Sequence, residues 1–157
     1  MIIKLTTDPG EIDECAHLMY SSDPFTTLKF DHKRCLASFE GDYKEVYLAY
    51  INDEIAGFVV LQLVGPLRGY IQTICLKPEF RNRGIGTSLL KFSEERLFKI
   101  SPNVFICVSS FNHNAQRLYA SLGFEKIGIV TDMFVEGYDE YILRKTTGSY
   151  SNFTSGT

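Results

Sequence analysis

The sequence predicts a single α/β domain built on a mixed, mostly antiparallel sheet flanked by helices. Apolar stretches of strand length alternate along the chain with stretches of helical periodicity. Two of these strands, 69–76 and 103–110, have a helix between them, and such a connection normally returns the chain parallel to its first strand. The 157 residues suffice for one domain with a buried core, which we place at residues 1–145.

The first elements are a strand, two helices and a hairpin. Residues 1–6 form an apolar strand that we expect to end at the Asp-Pro-Gly that follows. Residues 11–20 carry apolar side chains at helical spacing, and 31–39 predict a second helix. The stretch "VYLAYINDEIAGFVVLQLVG" then predicts two antiparallel strands about a turn at 52–54.

A strand, a helix and a second strand follow. The strand 69–76 is closed by Pro78, which cannot continue a sheet ladder. A helix begins near Gly84 and carries an apolar stripe. The short apolar run 103–110 suits a strand that is buried on both faces.

One further helix and two strands complete the domain. Asn112 is well placed as the N-cap of that helix, and Gly123 as the residue that ends it. The last strands are expected at about 124–131 and 138–144. The remaining residues, 146–157, are rich in Ser, Thr and Gly and predict disorder. A neighbour could order them, which suggests a homodimer.

Composition excludes several classes of function. The net charge of −3 gives no general attraction to nucleic acid or to an anionic membrane. No apolar run approaches the roughly 20 residues of a transmembrane helix, and residues 1–14 lack the layout of a signal peptide. The four cysteines and three histidines show no ligand spacing. We therefore expect a cytoplasmic protein with free thiols and no metal.

The stretch "PEFRNRGIGTSLLKF", residues 78–92, predicts a pyrophosphate site. Unpaired N–H groups at a helix N-terminus favour an anion, and Gly84 and Gly86 remove Cβ atoms that would keep a phosphate away. Arg81 and Arg83 add positive charge at the rim. A Walker A loop would need a lysine after the last glycine, and a dinucleotide fingerprint would need a third glycine where Leu89 stands.

The chain resembles the GCN5-related N-acetyltransferases, or GNAT family. Their acetyl-CoA signature, [Q/R]-x-x-G-x-[G/A], is matched by "RNRGIG" at 81–86, and the preceding "LKPEFR" is also typical. A second segment, "NHNAQRLYASLGF" at 112–124, is similar to the family's N-x-x-A-x-x-L-Y-x-x-x-G-F. The order of elements matches over roughly residues 1–145.

The resemblance implies a GNAT-like fold in which two central parallel strands splay apart around acetyl-CoA. Backbone groups of one strand would pair with the pantetheine arm, a glycine-rich turn would hold the pyrophosphate, and Asn112 would contact the CoA arm. The implied cofactor-binding residues are Ile74, Cys75, Leu76, Asn82, Arg83, Gly84, Ile85, Gly86, Thr87 and Asn112.

The resemblance also implies a catalytic residue. The tyrosine at the position of Tyr119 usually lies near the thioester sulfur and protonates the departing thiolate. Core packing is the competing interpretation, since Tyr119 shares an apolar stripe with Ala115 and Leu122. The acceptor would be an amine, on a small molecule or at a protein N-terminus.

The general base is absent from the place where some relatives carry it. That position is Cys107 here, and a thiol buried in a strand is a poor base at neutral pH. Three explanations remain open: a water chain through Ser109, an acceptor amine of low basicity, or a carboxylate from another element. The carboxylate candidates are Glu40, Asp42 and Glu136.

The acceptor is expected to bind between the helical pair and the loop before residue 138. Five aromatic residues are candidates for the mouth: Tyr20, Phe25, Phe30, Tyr43 and Tyr138. No acidic cluster of the kind that polycationic acceptors require stands out. Two other functions stay open at this point: transfer of a different acyl group or to a hydroxyl acceptor, and a non-catalytic CoA-binding sensor.

Overall fold

A computed structural model describes residues 1–156 of the chain as seven strands and four α-helices. The strands are β1 (Ile2–Thr6), β2 (Lys44–Ile51), β3 (Glu54–Gln62), β4 (Tyr70–Leu76), β5 (Asn103–Ser109), β6 (Glu125–Val130) and β7 (Glu140–Thr146). The helices are α1 (Pro9–Tyr20), α2 (His32–Ala37), α3 (Ile85–Leu97) and α4 (His113–Ser121). Single 3₁₀ turns form at Pro78–Phe80 and Tyr150–Asn152.

The seven strands form one sheet in the order β1-β2-β3-β4-β5-β7-β6. β4 and β5 are parallel, and the other neighbours are antiparallel. This confirms the predicted single-domain α/β fold with a mixed, mostly antiparallel sheet. The parallel pair arises because α3 carries the chain back between two strands of one sheet.

The central strands β4 and β5 separate soon after they meet. They pair only at Tyr70 with Phe105 and at Ile71 with Ile106, although β4 continues to Leu76 and β5 to Ser109. The remainder of each strand keeps its other neighbour. A wedge-shaped gap therefore opens at the centre of the sheet, as the resemblance implied.

Side chains of β3 show how the sheet is covered on both faces. Val59 and Leu61 pack with α3 and α4 residues, whereas Phe58 and Val60 pack with α1 and α2 residues. Alternate residues of a strand point to opposite faces, so this strand contributes to two separate apolar clusters. The sheet is therefore covered by helices on both of its faces, and the gap between β4 and β5 lies at its centre.

The predicted helix boundaries are confirmed at α4 and shift slightly at α1. Asn112 caps α4 by accepting a hydrogen bond from the Ala115 N–H, and Gly123 follows the helix with φ of +91°. The first strand ends at Thr6 as predicted, but α1, which was predicted over 11–20, already begins at Pro9. Asp8 is its N-cap, because proline's fixed φ suits a first helical turn.

The C-terminal residues that the composition predicted to be disordered lie against their own chain. The Thr147 N–H donates to Pro102 O at 2.9 Å, and the Gly156 N–H donates to Lys99 O at 3.0 Å. The hydroxyls of Tyr150 and Ser101 are also 2.9 Å apart. The neighbour that orders this segment is thus the connection between α3 and β5; Thr157 lies outside the described residues. None of the helices formed by residues 1–156 is long and apolar enough to cross a membrane.

Candidate active site

A cavity of about 270 Å³ lies in the gap between the splayed strands. Its strand walls are Tyr70, Ile71, Gln72, Thr73 and Ile74 of β4 with Ile106, Cys107, Val108 and Ser109 of β5. Asn112 and Tyr119 of α4 and Glu140 of β7 complete the inner wall. The sequence predicted that β4, Asn112 and Tyr119 would meet here, and the structure brings them together.

The far end of β4 presents a backbone edge toward the gap. Beyond Ile71, β4 has no sheet partner on the β5 side within residues 1–156. Ile74 lines the cavity, whereas the Cys75 side chain is buried in the cluster under α1 and α2. The Leu76 carbonyl already accepts a hydrogen bond from Arg81 Nε at 3.1 Å. An extended ligand can add to this edge as a strand would.

The turn after β4 is shaped by two residues with positive φ. Asn82 has φ of +58° and Gly84, the N-cap of α3, has φ of +78°. Within residues 1–156 no side chain caps the helix, so the first N–H groups of α3, on Ile85 and the residues after it, lack a capping partner there. Such an array is suited to a phosphate.

The two glycines of this turn have different structural reasons. A Cβ at Gly84 would meet nothing within 4 Å, so space does not require a glycine there. The left-handed backbone does, because a residue with a side chain is strained in that conformation. A Cβ at Gly86 would lie 3.4 Å from Leu76 Cδ1. Gly86 therefore lies close to the end of β4, and the clearing of space for a phosphate by the two glycines stays a prediction.

The arginines of the turn have partners within the chain. Arg81 also reaches Ser22 Oγ at 3.5 Å, which links the turn to the segment after α1. The Arg83 guanidinium lies 5.4 Å from the centre of the Phe80 ring. Both side chains belong to exposed residues, so their charges stand at the edge of the α3 N-terminus, where they would attract a phosphate.

Tyr119 reaches the cavity from α4 and is 6% exposed. Its ring packs edge-to-face against Phe124, with centroids 6.1 Å apart. Burial, with the nearby Glu140 carboxylate as the second cause, raises the pKa of Tyr119 well above its ordinary value. The phenol therefore stays protonated across the physiological range and is available as a proton donor.

Glu140, the first residue of β7, places a carboxyl group in the lining of the cavity that Tyr119 also lines. It lies opposite Ser109 in the sheet and accepts a 2.5 Å hydrogen bond from that hydroxyl. The residue is 4% exposed. Burial raises the pKa of Glu140, and the hydrogen bond from Ser109 partly opposes that rise. A carboxylate whose pKa is raised toward neutrality is a better proton acceptor than an ordinary surface glutamate.

The carboxylates proposed from sequence do not reach the cavity. Glu40, Asp42 and Glu136 are exposed and do not line it. Glu140 was missed because it belongs to a predicted strand and no local motif distinguishes it. The available signal was a charged residue at the start of a strand that the sheet had to bury. Such a charge is rarely buried unless it has a partner or a functional role.

Cys107 lies in the cavity wall as expected and is a weak candidate for the base. Burial raises its thiol pKa, and the Tyr70 hydroxyl beside it only partly offsets this effect. Tyr70, which the sequence did not single out, also has a pKa raised by burial, with Cys107 as the second cause. Both groups are therefore neutral near pH 7.

The outer part of the cavity is made mostly of apolar side chains, with one arginine and one serine. Phe25 and Phe30, two of the aromatic residues expected at the mouth, do line it. Tyr20, Tyr43 and Tyr138, the other three, do not. The remaining outer residues are Met19, Pro24, Leu28, Arg34, Ser38, Met133 and Phe134.

A second polar cluster lies outside the cavity, between α1 and α2. The centres of the His17 and His32 rings are 4.4 Å apart. Asp13 Oδ2 lies 3.4 Å from His17 Nδ1, and Asp13 Oδ1 lies 3.7 Å from His32 Nε2. Either imidazole can pair with Asp13 when protonated. Folding thus brings together histidines that sequence spacing had separated.

Comparison with known proteins agrees with these features. A family model described as "Acetyltransferase (GNAT) family" matches residues 11–124. The N-alpha-acetyltransferase RimI of Mycobacterium tuberculosis is 30% identical over 137 residues, which cover 87% of this chain and 84% of RimI. An uncharacterised protein of Mycobacterium leprae is 30% identical over 148 residues, 89% of this chain. The chain spans only 39% of that relative's length.

The fold is also found among solved structures. The crystal structure of a Bacillus subtilis acetyltransferase in complex with CoA superposes with a TM-score of 0.75. The match covers 93% of this chain and 98% of that one, at 22% sequence identity. At this identity the likeness shows a shared fold.

Proposed function

Because the chain belongs to the GNAT acetyltransferase family, we propose that it is an N-acetyltransferase that transfers an acetyl group from acetyl-CoA to a primary amine. The observation that carries this proposal is the pairing of two buried groups in the gap between β4 and β5. Tyr119, a protonated phenol, and Glu140, a carboxyl group with a raised pKa, line the same cavity.

The residues of the turn and of β4 fit coenzyme A. The N-terminus of α3 from Gly84 to Thr87, with Asn82 and Arg83, would hold the pyrophosphate, because its N–H groups lack a side-chain cap. The edge of β4 from Ile74 to Leu76 would bind the pantetheine arm. Asn112 would contact that arm with its amide nitrogen, since its Oδ1 caps α4. When bound, acetyl-CoA supplies an acetyl group activated as a thioester.

Glu140 and Tyr119 would move the two protons of the transfer. The amine nitrogen forms a bond to the acetyl carbon while the carbon–sulfur bond breaks. Glu140 takes a proton from the amine, and Tyr119 donates a proton to the departing sulfur. Because the two groups line the same cavity, return of the proton from Glu140 to Tyr119 would leave no net charge behind. Ser109 holds the Glu140 carboxyl group in place.

The position of Glu140 supports catalysis over a non-catalytic CoA sensor. The sensor hypothesis depended on Cys107 standing where relatives carry a base, and Glu140 now offers a carboxylate at the same cavity. A protein N-terminus or a small amine is the proposed acceptor, since an α-amine of pKa about 7.7–8.0 is partly neutral in solution. RimI, at 30% identity, is named as an N-alpha-acetyltransferase.

Calorimetric titration with acetyl-CoA, free CoA and a longer acyl-CoA is the first test. We expect micromolar binding with a preference for acetyl-CoA, followed by release of free CoA thiol when a panel of amines is added. Absence of binding to all three thioester and thiol ligands would overturn the proposal. Preference for the longer acyl chain would redirect it to a different acyltransferase.

A further inference from the structure

Arg34 is held at the outer wall of the cavity by two aromatic rings. Its guanidinium carbon lies 4.2 Å from the centre of the Phe30 ring and 5.3 Å from that of Phe134. The two rings also pack edge-to-face, with centroids 5.2 Å apart. Phe30 precedes α2 and Phe134 lies between β6 and β7, so two distant segments fix one guanidinium. An aromatic stack restrains the plane of the group and leaves its edge N–H donors available.

The charge of Arg34, an exposed residue, has no acidic partner at salt-bridge distance within residues 1–156. Arg34 nevertheless lines the cavity. Among the cavity-lining residues, Arg34 is the one basic side chain and Glu140 is the one acidic side chain. The cavity therefore carries one fixed positive charge and one group that accepts a proton, on walls formed by α2 and β7.

From this arrangement we propose, as an extension that rests on the proposed function, that the acceptor is a primary amine bearing a carboxylate. Its carboxylate would bind the edge of the Arg34 guanidinium, and its amine would face Glu140. A guanidinium can donate two parallel hydrogen bonds to a carboxylate, which a neutral or cationic group cannot accept in the same way. A free amino acid and the N-terminus of an acidic peptide both present this chemistry.

The dimensions and charge of the cavity favour such an acceptor over a polycation. About 270 Å³ lies just below the roughly 300–1,000 Å³ typical of ligand pockets, which suits a small molecule or the end of a chain. A polyamine or aminoglycoside would place further cations near Arg34, and Glu140 alone would face them. A purely structural role for Arg34, tying the loop of Phe134 to α2, is the competing explanation.

Matched acceptors test the proposal on the full-length chain. Each amino acid in a series of increasing amine-to-carboxylate separation is compared with its own amide, and an acidic peptide with its neutral counterpart, by thiol release at saturating acetyl-CoA. We expect kcat/KM for the best acid to exceed that for its amide by about tenfold or more, as befits a hydrogen-bonded charge pair. The free and peptide arms distinguish the two sources of carboxylate.

Three variants at two neighbouring residues of α2 assign the preference to Arg34. Arg34→Gln should raise KM for the acid and leave the amide little changed, so that the preference disappears. Lys33→Gln removes an equal charge from an exposed residue that does not line the cavity, and it should keep the preference. Arg34→Lys should retain only part of it, because an ammonium is a point charge.

The outcomes separate this inference from the proposed function. Equal turnover of acids and amides, or an equal loss of both in Arg34→Gln, overturns the carboxylate proposal and leaves the N-acetyltransferase intact. If no amine reacts although acetyl-CoA binds, the proposed function fails instead. Calorimetric binding of the same acid and amide pairs in the presence of CoA then decides whether Arg34 selects a carboxylate.

Discussion

The two ends of the candidate site are built in different ways. The cofactor end uses backbone groups: the edge of β4, the positive φ of Gly84 and the uncapped N-terminus of α3. The acceptor end uses side chains, above all Arg34 and Glu140. Residues 70–87 supply most of the first, whereas α1, α2, β7 and the loops beside them supply the second.

This difference indicates how each end tolerates change. Backbone groups keep their positions when side chains are replaced, provided that the φ angles remain accessible. Side-chain recognition is lost with a single substitution, because charge and hydrogen-bonding groups disappear with it. We therefore expect substitutions at the acceptor end to alter catalysis and specificity, and conformational substitutions at the cofactor end to alter CoA affinity.

Glu140→Gln should produce the largest effect. Loss of a general base lowers kcat/KM by about 10²- to 10⁴-fold, while calorimetric CoA affinity should stay unchanged because the cofactor end is intact. Wild-type activity should fall as pH drops through the raised pKa of Glu140. The defect of the variant should shrink at low pH, where Glu140 of the wild type is itself protonated and cannot take a proton from the amine.

Glu136→Gln is the matched control, since Glu136 is exposed and lies outside the cavity. A pH-independent loss of activity in Glu140→Gln would indicate a structural role for this carboxyl group.

Tyr119→Phe tests the donor that lies between the two ends. It should lower kcat by about 10²-fold, the low end for a general acid, with little change in acetyl-CoA affinity. Single-turnover kinetics would localise the loss to the chemical step. Tyr138→Phe, which removes a hydroxyl outside the cavity, should have no such effect. Full turnover in Tyr119→Phe would leave this residue as core packing.

Gly84→Ala addresses the cofactor end. A side chain at φ of +78° is strained by roughly 1–2 kcal/mol, so the turn should shift, and CoA affinity should fall by about tenfold. Gly65→Ala meets the same two conditions, positive φ and open space, in a loop outside the site. Equal CoA affinity in the two variants would contradict the assignment of the turn to pyrophosphate.

The smallest expected effect concerns stability. Because burial disfavours the ionised form of Glu140, its contribution to folding is most favourable at low pH and is lost as pH rises through its raised pKa. Glu140→Gln removes this cost and keeps an acceptor for Ser109. The melting temperature of the variant minus that of the wild type should therefore increase from pH 5 to pH 8. Thermal unfolding of both proteins in matched buffers measures this difference. A constant difference would show that folding does not raise the pKa of Glu140.

Local signals accounted for most of the fold. The spacing of apolar residues identified each strand and helix in order, and Asn112 and Gly123 marked the ends of α4. The glycine-rich turn was readable because its chemistry resides in consecutive residues. Prediction failed at the start of α1, because a proline suits either a turn or a first helical residue.

The order of the C-terminal segment is a further case in which composition misled. Ser, Thr and Gly alone cannot bury enough apolar surface to order a chain, but the contacts of Tyr150 and Thr147 with residues 101–102 supply partners that composition does not reveal. The oligomeric state and a role for this segment in a dimer stay predictions. Light scattering of full-length and truncated chains would test them.

The sequence by itself determined the α/β class, the parallel pair, the glycine-rich turn and the position of Tyr119, because each is expressed within a short stretch of chain. Only the tertiary structure decided which carboxylate and which cation reach the cavity. Glu140 meets Ser109 through strand register, and Arg34 meets Phe134 through folding of segments far apart in sequence. The spacing of residues along the chain does not predict such contacts, because they depend on how the sheet and the elements that cover it pack.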